Sequence, residues 1–216
     1  MHYRLIPNSF HFENLSLFNT SYRGLHMKNN TYENDVRILG GKFKGKLLPV
    51  LDVEGLRPTP SRVRETIFSW IKDSLGNAKV LDLFAGSGAL GLEAYSRGAK
   101  DVTLVELDKD NSSNLKVIAK SMSYDEIHVI NDDALHFLDN VSSTFNIVFI
   151  DPPYKLDIYE KVLEKLLDKN LIDDDSLIYV EMRNGSNKIV PGYEIIREEN
   201  VGQSKYSLWT KSKLLF

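Results

Sequence analysis

The string Asp151-Pro152-Pro153-Tyr154 carries the most specific chemistry in this sequence, because it directly follows four apolar residues at 147–150. An amine on a nucleobase ring is a poor nucleophile, since its lone pair is delocalised into the ring. Hydrogen bonds from its N–H groups to the Asp151 carboxylate and the Pro152 carbonyl would make the nitrogen pyramidal and direct its lone pair at a methyl group. The prolines stiffen the turn that holds both acceptors, and Tyr154 offers a face for stacking an extruded base. We therefore predict methyl transfer to a base nitrogen; because the proton leaves after the transfer, Asp151 needs no raised pKa.

A second string, from Asp82 to Gly91, has glycines in the spacing G-x-G-x-x-G, and Glu106 ends the next apolar run 18 residues beyond Gly88. Taken alone, this spacing is typical of NAD sites. Asp82 disfavours a pyrophosphate, which prefers backbone N–H groups without a carboxylate nearby, and favours S-adenosylmethionine, which carries an ammonium and a sulfonium. In this interpretation the glycines let the backbone lie against the methionine half, Glu106 accepts from the ribose hydroxyls and Asp133 from the adenine amine. The residues assigned to the donor are Asp82, Phe84, Ala85, Gly86, Ser87, Gly88, Glu106, Leu107, Asp133 and Ala134.

The composition excludes several other chemistries. The 216-residue chain has no cysteine, which excludes disulfides, thiolate metal sites and the thiolate nucleophile that methylation at pyrimidine C5 requires. Its five histidines lack metal-ligand spacing, so we expect no metal. With 42% hydrophobic residues, a mean hydropathy of -0.27 and no apolar run of about 18 residues, the sequence predicts a soluble globular protein without a membrane partner.

Apolar runs that alternate with amphipathic segments must position these two strings. We predict strands at 79–84, 102–106, 127–130, 146–150 and 177–181, and helices between them at 89–97, 110–122, 134–138 and 159–167. Strands that are apolar on both faces indicate a parallel sheet covered on both sides, where ligands gather at the carboxyl ends of the strands. Runs at 193–198 and 205–210 have no helix between them and predict an antiparallel pair. The predicted fold class is α/β: a doubly wound Rossmann-like sheet, mostly parallel, with an antiparallel C-terminal hairpin.

A basic segment precedes this sheet at residues 36–64. Seven Lys and Arg residues against Asp52 and Glu54 give it a local charge of +5, although the formal net charge of the chain is -3. Glycines between the apolar runs 36–39 and 47–50 predict a small β-hairpin with lysines at its tip. Two prolines keep the string 57–65 extended, and a helix is predicted to begin near Ser61. Its apolar face comprises Val63, Ile67, Trp70 and Ile71.

The domain interpretation has three parts. Residues 1–34 show no regular period and are interpreted as a weakly ordered extension, residues 35–75 as the basic hairpin and helix, and residues 76–216 as the domain built on the sheet. One alternative for the extension is an organellar transit segment, since Arg4 and Arg23 are accompanied by a single acid, Glu13. The favoured alternative is a true start at Met27, preceded by an over-long reading frame.

Together these strings resemble the RsmD family of ribosomal RNA methyltransferases. The resemblance covers residues 36–210. Besides the two strings described above, it rests on the strings 37–45, 57–65 and 202–209. In the last of these, Trp209 stands where a tyrosine is expected. It implies a class I methyltransferase fold, S-adenosylmethionine as methyl donor, and methylation of guanine-966 N2 in 16S rRNA within the small ribosomal subunit or its assembly intermediate. On this hypothesis the chain is a cytoplasmic monomer. The residues assigned to RNA phosphates are Arg37, Lys42, Lys44, Lys46, Arg62 and Arg64.

Other interpretations remain open. Arg62 or Arg64 would instead pair with Glu65 or Glu93 and fix the helix. A DNA amino-methyltransferase acting on adenine N6 or cytosine N4 would use the same Asp-Pro-Pro-Tyr chemistry, but the chain has no length for the recognition domain that such enzymes usually carry. A non-catalytic assembly factor would keep the fold with an idle site, which the intact glycine loop disfavours. The last alternative is a dehydrogenase, which predicts that the glycine loop binds NADH.

Overall fold

A seven-stranded sheet forms the centre of the structure, a computed structural model that describes residues 36–51, 59–123, 125–153, 155–185 and 190–213. In chain order the strands are β1 (Val36–Arg37), β2 (Leu47–Leu48), β3 (Lys79–Asp82), β4 (Asp101–Glu106), β5 (Ile127–Asn131), β6 (Ile147–Ile150), β7 (Leu177–Arg183), β8 (Tyr193–Val201) and β9 (Ser204–Lys211). The helices are α1 (Ser61–Trp70), α2 (Ala89–Ser96), α3 (Lys109–Met122), α4 (Ala134–Asn140) and α5 (Tyr159–Asp168), with a 3-10 turn at Lys72–Ser74.

The strand order of the sheet is β5-β4-β3-β6-β7-β9-β8. Parallel pairing joins the strands from β5 to β7, so their carboxyl ends share one edge of the sheet. The chain winds outward from β3 to β5 and then returns to the other side of β3 with β6. This reversal creates the crevice in which open α/β sheets bind ligands. The predicted doubly wound fold is confirmed, and the predicted boundaries of its strands and helices agree within three residues.

The last two strands reverse the direction of the sheet, as the sequence predicted. Strand β9 pairs antiparallel with both β7 and β8. The turn between β8 and β9 contains Gly202, whose φ of 60° lies in the left-handed region that glycine adopts without strain. Near its start, β8 has an irregular register between Ile195 and Arg197.

Helices cover both faces of the sheet. On one face β1, β2, α1, α2 and α3 share a core with Val80, Phe149 and Tyr179. On the other face α4 and α5 pack against Leu81 and Val148. Because β6 is buried at every position, an apolar side chain is required on each of its faces, which explains its uninterrupted apolar run.

The N-terminal hairpin of β1 and β2 docks on the end of α2. The Lys42 N–H donates to the Ser96 carbonyl oxygen at 2.6 Å, and the Ser96 hydroxyl donates to the Gly40 carbonyl oxygen at 2.6 Å. Gly41 has a φ of 79°, and a Cβ atom there would lie 1.8 Å from the Ser96 oxygen, so this approach requires glycine. Residues Asn34–Phe216 form one compact unit, so the described part of 35–75 is built into the sheet unit; a second unit, Met1–Glu33, lies outside the described residues.

Arg64 lies in the core, although the sequence analysis assigned it to RNA phosphates. Its side chain is 2% exposed, and its Nη1 donates to Glu93 Oε2 at 3.0 Å and to the Arg37 carbonyl oxygen at 3.0 Å. Its Nε donates to the Thr59 carbonyl oxygen at 3.2 Å. Glu93 is fully buried and also pairs with Arg97 at 2.8 Å. A guanidinium held in this way cannot reach an RNA phosphate, and the pairing with Glu93, left open above, is the arrangement found.

We expect Glu93→Ala to lower the free energy of unfolding by about 3–5 kcal/mol, because it leaves the Arg64 guanidinium buried without its carboxylate. The substitution also removes the acceptor of the Leu39 backbone N–H, 3.0 Å away. Urea denaturation measures the change. Glu65→Ala, at an exposed position of α1, is the matched control, with an expected change below about 0.5 kcal/mol. Equal stabilities of the two variants would contradict the account of Arg64 as a buried, paired cation.

None of the described helices is long and apolar enough to cross a membrane. Within the same residue ranges, no group of three or more His, Asp or Glu side chains is placed to hold a metal ion. The two histidines in these ranges lie beside acids: His128 beside Asp101 at 3.6 Å, and His136 beside Asp132 at 2.8 Å.

Candidate active site

Four carboxylates form a row across the carboxyl ends of four adjacent strands. In sheet order they are Glu106 on β4, Asp82 on β3, Asp151 directly after β6, and Glu181 on β7. Phe149 pairs with Tyr179 in the register of β6 and β7, so Asp151 and Glu181 lie level with each other two residues further along. Since side chains alternate along a strand, both acids project to the face on which Phe149 and Tyr179 pack against α1 and α2.

Asp82 is a buried carboxyl that ties α2 to the end of β3. Its Oδ2 accepts a hydrogen bond from the Gly91 N–H at 2.9 Å, and a Cβ atom on Gly91 would lie 2.2 Å from the Leu104 side chain. Burial, together with the charge of Glu106, raises the pKa of Asp82 to about 7, against hydrogen bonds from the backbone of Gly91 and Phe84 that lower it. A buried acid that titrates near neutrality can interact strongly with a bound cation.

The loop between β3 and α2 turns through two glycines with left-handed backbone. Gly86 has a φ of 53°, and Gly88, the residue before the first residue of α2, has a φ of 74°. A Cβ atom on Gly88 would lie 2.8 Å from the Leu92 and Leu115 side chains. Ala85, Ser87 and Gly88 are buried, and Phe84 and Gly86 are half-buried. Both glycines are therefore required by the left-handed backbone, and at Gly88 also by the close packing of Leu92 and Leu115.

Glu106 is held in place by the glycine loop and by α3. Its Oε2 accepts from the Gly86 N–H at 2.9 Å and from Asn111 Nδ2 at 3.0 Å, and its Oε1 accepts from the Asp108 N–H at 2.7 Å. Because each carboxylate oxygen can accept two hydrogen bonds, Oε1 can also accept from a ribose hydroxyl. Leu107 is 68% exposed beside it. The buried Asn111 was not predicted to belong to the site, because in sequence it resembles any polar helix residue. Its Nδ2 also donates to the Gly86 carbonyl oxygen at 2.5 Å.

Asp133 caps α4 in this structure. Its Oδ1 accepts from the N–H groups of Leu135 at 2.9 Å and His136 at 3.1 Å, and the residue is exposed at the end of β5. Its second oxygen is the atom that an adenine amine could reach. Ala134 is buried next to it. A hydrogen bond with Asp132 raises the pKa of the exposed His136, so this histidine has a local partner at the surface.

Thr59 orients Asp151. The Thr59 hydroxyl donates to Asp151 Oδ2 at 3.1 Å across 92 residues of sequence. Although part of Asp151 remains exposed, burial of its carboxyl raises its pKa well above the ordinary value, followed by the charge of Glu181 and, more weakly, that of Asp82. No raised pKa was expected here from the sequence; the pKa of Asp151 is raised because its carboxyl is buried and because neighbouring strands place Glu181 and Asp82 beside it. Thr59 itself was missed, and its only signal is its position between two prolines.

The other predicted catalytic residues continue the same turn. Pro152 is buried and Pro153 is exposed, while Tyr154 lies outside the described residues. Among the residues assigned to RNA, Arg37, Lys42, Lys44 and Arg62 are exposed and Lys46 is half-buried. Arg62 lies near Tyr206 on β9, which pairs with Glu181 in the register of the sheet. Burial raises the pKa of Tyr206 to about 12, and the charge of Arg62 opposes that rise.

Glu181 is a buried acid that the sequence analysis did not assign to the site. The Tyr179 hydroxyl donates to its Oε2 at 3.0 Å, and Tyr206 stands opposite it in the register of β7 and β9. Burial, followed by the charge of Glu181, raises the pKa of Tyr179 well above its ordinary value, so this phenol remains a donor. A sequence signal exists: Glu181 follows the apolar run 177–180, in the same way as Asp151 follows its own run.

Sheets with this winding, in which β3 leads into a glycine loop and β6 into Asp-Pro-Pro, are those of Rossmann-like methyltransferases, and the chain is of this class. Within the class, the model of the family described as Conserved hypothetical protein 95 matches residues 36–210. The chain belongs to this family, the RsmD family.

Individual relatives agree with this assignment. The chain is 40% identical over 185 residues to Ribosomal RNA small subunit methyltransferase D of Escherichia coli strain K12, covering 85% of this chain and 93% of that protein. A solved structure of yhhF from Escherichia coli has 38% identity and a TM-score of 0.77, covering 84% of this chain and all (100%) of that chain. A solved structure of SMU.776 complexed with SAH shares the fold, with 18% identity, a TM-score of 0.57, and coverage of 72% of this chain and 50% of that chain.

Proposed function

We propose that this chain transfers a methyl group from S-adenosylmethionine to N2 of a guanine in 16S rRNA, at guanine-966, the position that the resemblance to the RsmD family implies. One observation carries the proposal: Asp151 lies beside Asp82 and the glycine loop on one face of the carboxyl edge of the sheet. An amine held by Asp151 would therefore face a donor held by that loop. The name of the Escherichia coli relative supports small-subunit ribosomal RNA as the substrate class.

Asp82 anchors the donor side of the proposed site. Its carboxyl is close to its pKa at neutral pH, so a neighbouring ammonium or sulfonium would favour the ionised form and be attracted by it. Glu106 Oε1 accepts from a ribose hydroxyl, and the second oxygen of Asp133 accepts from the adenine amine. The residues proposed to surround the donor as a whole are Asp82, Phe84, Ala85, Gly86, Ser87, Gly88, Glu106, Leu107, Asp133 and Ala134.

On the acceptor side, the Asp151 carboxylate and the Pro152 carbonyl oxygen each accept one N–H of the guanine amine. The Thr59 hydroxyl fixes the carboxylate, Pro153 stiffens the turn, and Tyr154 stacks on the base. When bound, S-adenosylmethionine supplies the methyl carbon to which the amine nitrogen bonds, and the sulfur retains the electron pair of the broken bond. The methylated nitrogen then carries an extra proton, which Asp151, with its raised pKa, can accept.

The segment 35–75 is proposed to contact RNA. The residues proposed for this contact are the exposed or half-buried Arg37, Lys42, Lys44, Lys46 and Arg62, and Arg64 is left out because it is buried. Thr59 links this segment to the chemistry, since it belongs to the basic string and contacts Asp151. A substrate in the small subunit or its assembly intermediate would place the enzyme in the cytoplasm, where it would act as a monomer.

The double variant Lys42→Ala/Lys44→Ala is expected to raise the KM for RNA about tenfold while S-adenosylmethionine binding stays unchanged. Each lysine would contribute one phosphate contact, so the slope of log KM against log salt concentration should fall by about 1.5. Lys116→Ala/Lys120→Ala, which removes two exposed lysines of α3, is the matched control. An unchanged salt slope in the hairpin variant would contradict the proposed RNA surface.

The proposed function is tested by supplying labelled S-adenosylmethionine with 30S particles that lack the modification, with deproteinised 16S rRNA and with duplex DNA in parallel. We expect label in the 30S particle, in a single guanine. Transfer to DNA would support an amino-methyltransferase of the DNA class instead. Binding of the donor without transfer to any of the three substrates would contradict the catalytic assignment.

A further inference from the structure

Glu181 belongs to the acceptor end of the site, yet the methyl transfer described above does not use it. It is 9% exposed, lies level with Asp151 across the β6–β7 register, and accepts from the Tyr179 hydroxyl at 3.0 Å. Its charge is the second-largest cause of the raised pKa of Asp151, so the two carboxyls lie close together. Two neighbouring buried carboxyls favour a ligand that presents two adjacent hydrogen-bond donors.

The neighbours of Glu181 hold it in place. Tyr206, opposite Glu181 on β9, uses its hydroxyl to donate to Glu199 Oε2 at 3.0 Å, and its ring contacts Trp70 with centroids 5.9 Å apart. The Tyr179 hydroxyl, which donates to Glu181, lies on the Asp151 side of β7. Since a carboxylate accepts about four hydrogen bonds, Glu181 can accept a donor from a bound base in addition to the Tyr179 hydroxyl.

Guanine presents two kinds of donor side by side on its Watson–Crick edge, the N2 amine and the ring N1–H. Adenine and cytosine instead present a ring-nitrogen lone pair beside their exocyclic amines. Two adjacent carboxyls complement the guanine edge only. We propose that Glu181 accepts the N1–H of the target base, so that it selects guanine while Asp151 orients the amine. This inference rests on the proposed function and adds a specificity-determining residue to it.

The test compares guanine with 2-aminopurine, which retains the N2 amine but presents N1 as an acceptor. Each base is placed at the target position of 16S rRNA that is assembled into 30S particles, and kcat/KM is measured with the full-length chain. The wild type should prefer guanine about 100-fold. In Glu181→Gln the side-chain amide can donate to N1 of 2-aminopurine, so the preference should fall at least tenfold. Glu181→Asp withdraws the carboxylate from N1 but keeps its charge, so guanine should react more slowly without any gain for 2-aminopurine.

The control is Glu194→Gln, an exposed acid on β8, which should leave the guanine preference unchanged. If Glu181 only supports Tyr179, Glu181→Gln will slow both bases equally and the ratio will match the wild type, which would overturn this inference alone. Absence of transfer to guanine by the wild type would overturn the proposed function, and this inference with it. A reduced ratio in Glu181→Gln, together with an unchanged ratio in Glu194→Gln, would support both.

Discussion

Asp151→Ala is expected to lower kcat for methyl transfer by about 10²–10⁴-fold, because the amine loses the acceptor that directs its lone pair and receives its proton. Donor affinity should stay within about threefold, since the donor is assigned to residues after β3, β4 and β5. Single-turnover transfer to 30S particles measures the first quantity, and calorimetry with S-adenosylmethionine measures the second.

Two related variants calibrate this result. Asp151→Asn keeps one side-chain oxygen and should retain more activity than Asp151→Ala. Thr59→Val removes only the hydroxyl that donates to Asp151 Oδ2 and should lower kcat about tenfold. Asp175→Asn changes an acid that is 95% exposed and serves as the control. An Asp151→Ala enzyme that kept the wild-type rate would refute the role assigned to this carboxylate.

Asp82→Asn is expected to weaken S-adenosylmethionine binding by about 10–100-fold, because it removes the charge that faces the cationic methionine half. The asparagine oxygen can still accept from the Gly91 N–H, so the junction with α2 should survive. In the wild type, donor affinity should rise with pH as Asp82 ionises near its pKa of about 7, whereas the variant should bind with no such rise. Calorimetry between pH 5.5 and 8.5, with Asp73→Asn as an exposed control, measures both effects.

The stability of the free protein should respond to pH in the opposite sense. Because the folded-state pKa of Asp82 lies above its ordinary value of 3.8, the folded state binds this proton more tightly than the unfolded state does. The resulting stabilisation is fully present below about pH 4 and is lost as the pH rises through about 7. Asp82→Asn should lack this loss, so its free energy of unfolding relative to that of the wild type should rise between pH 5 and pH 8. If the difference in free energy of unfolding between the wild type and Asp82→Asn stayed constant with pH, this would contradict the buried, uncharged form of Asp82.

The fold was predictable because its signals are local. Apolar runs of four to six residues separated by helical periods determine the strands, and the carboxyl ends of parallel strands determine where a ligand can bind. Asp82, Glu106 and Asp151 were found for this reason, since each ends a strand or follows one directly. The glycine loop was found because its spacing within one short segment is itself a signal.

The missed residues depend on packing between distant segments. Thr59 reaches Asp151 only because α1 packs over the end of β6, and Glu181 enters the site only because β7 is the next strand after β6 in the sheet. Arg64 was assigned to the surface because arginine usually lies there. Its position one turn before Phe68 on the buried face of α1 was a usable signal, but its partner Glu93 comes from another helix.

A crystal structure with a bisubstrate analogue, in which guanosine N2 is tethered to the 5′ position of adenosine, would show directly whether Asp151 and Pro152 hold the reacting amine. We expect the N2 nitrogen to lie within about 3.2 Å of both the Asp151 carboxylate and the Pro152 carbonyl oxygen, with the adenosine along Glu106 and Asp133. A guanine bound elsewhere, or an Asp151 carboxyl turned away from N2, would contradict it.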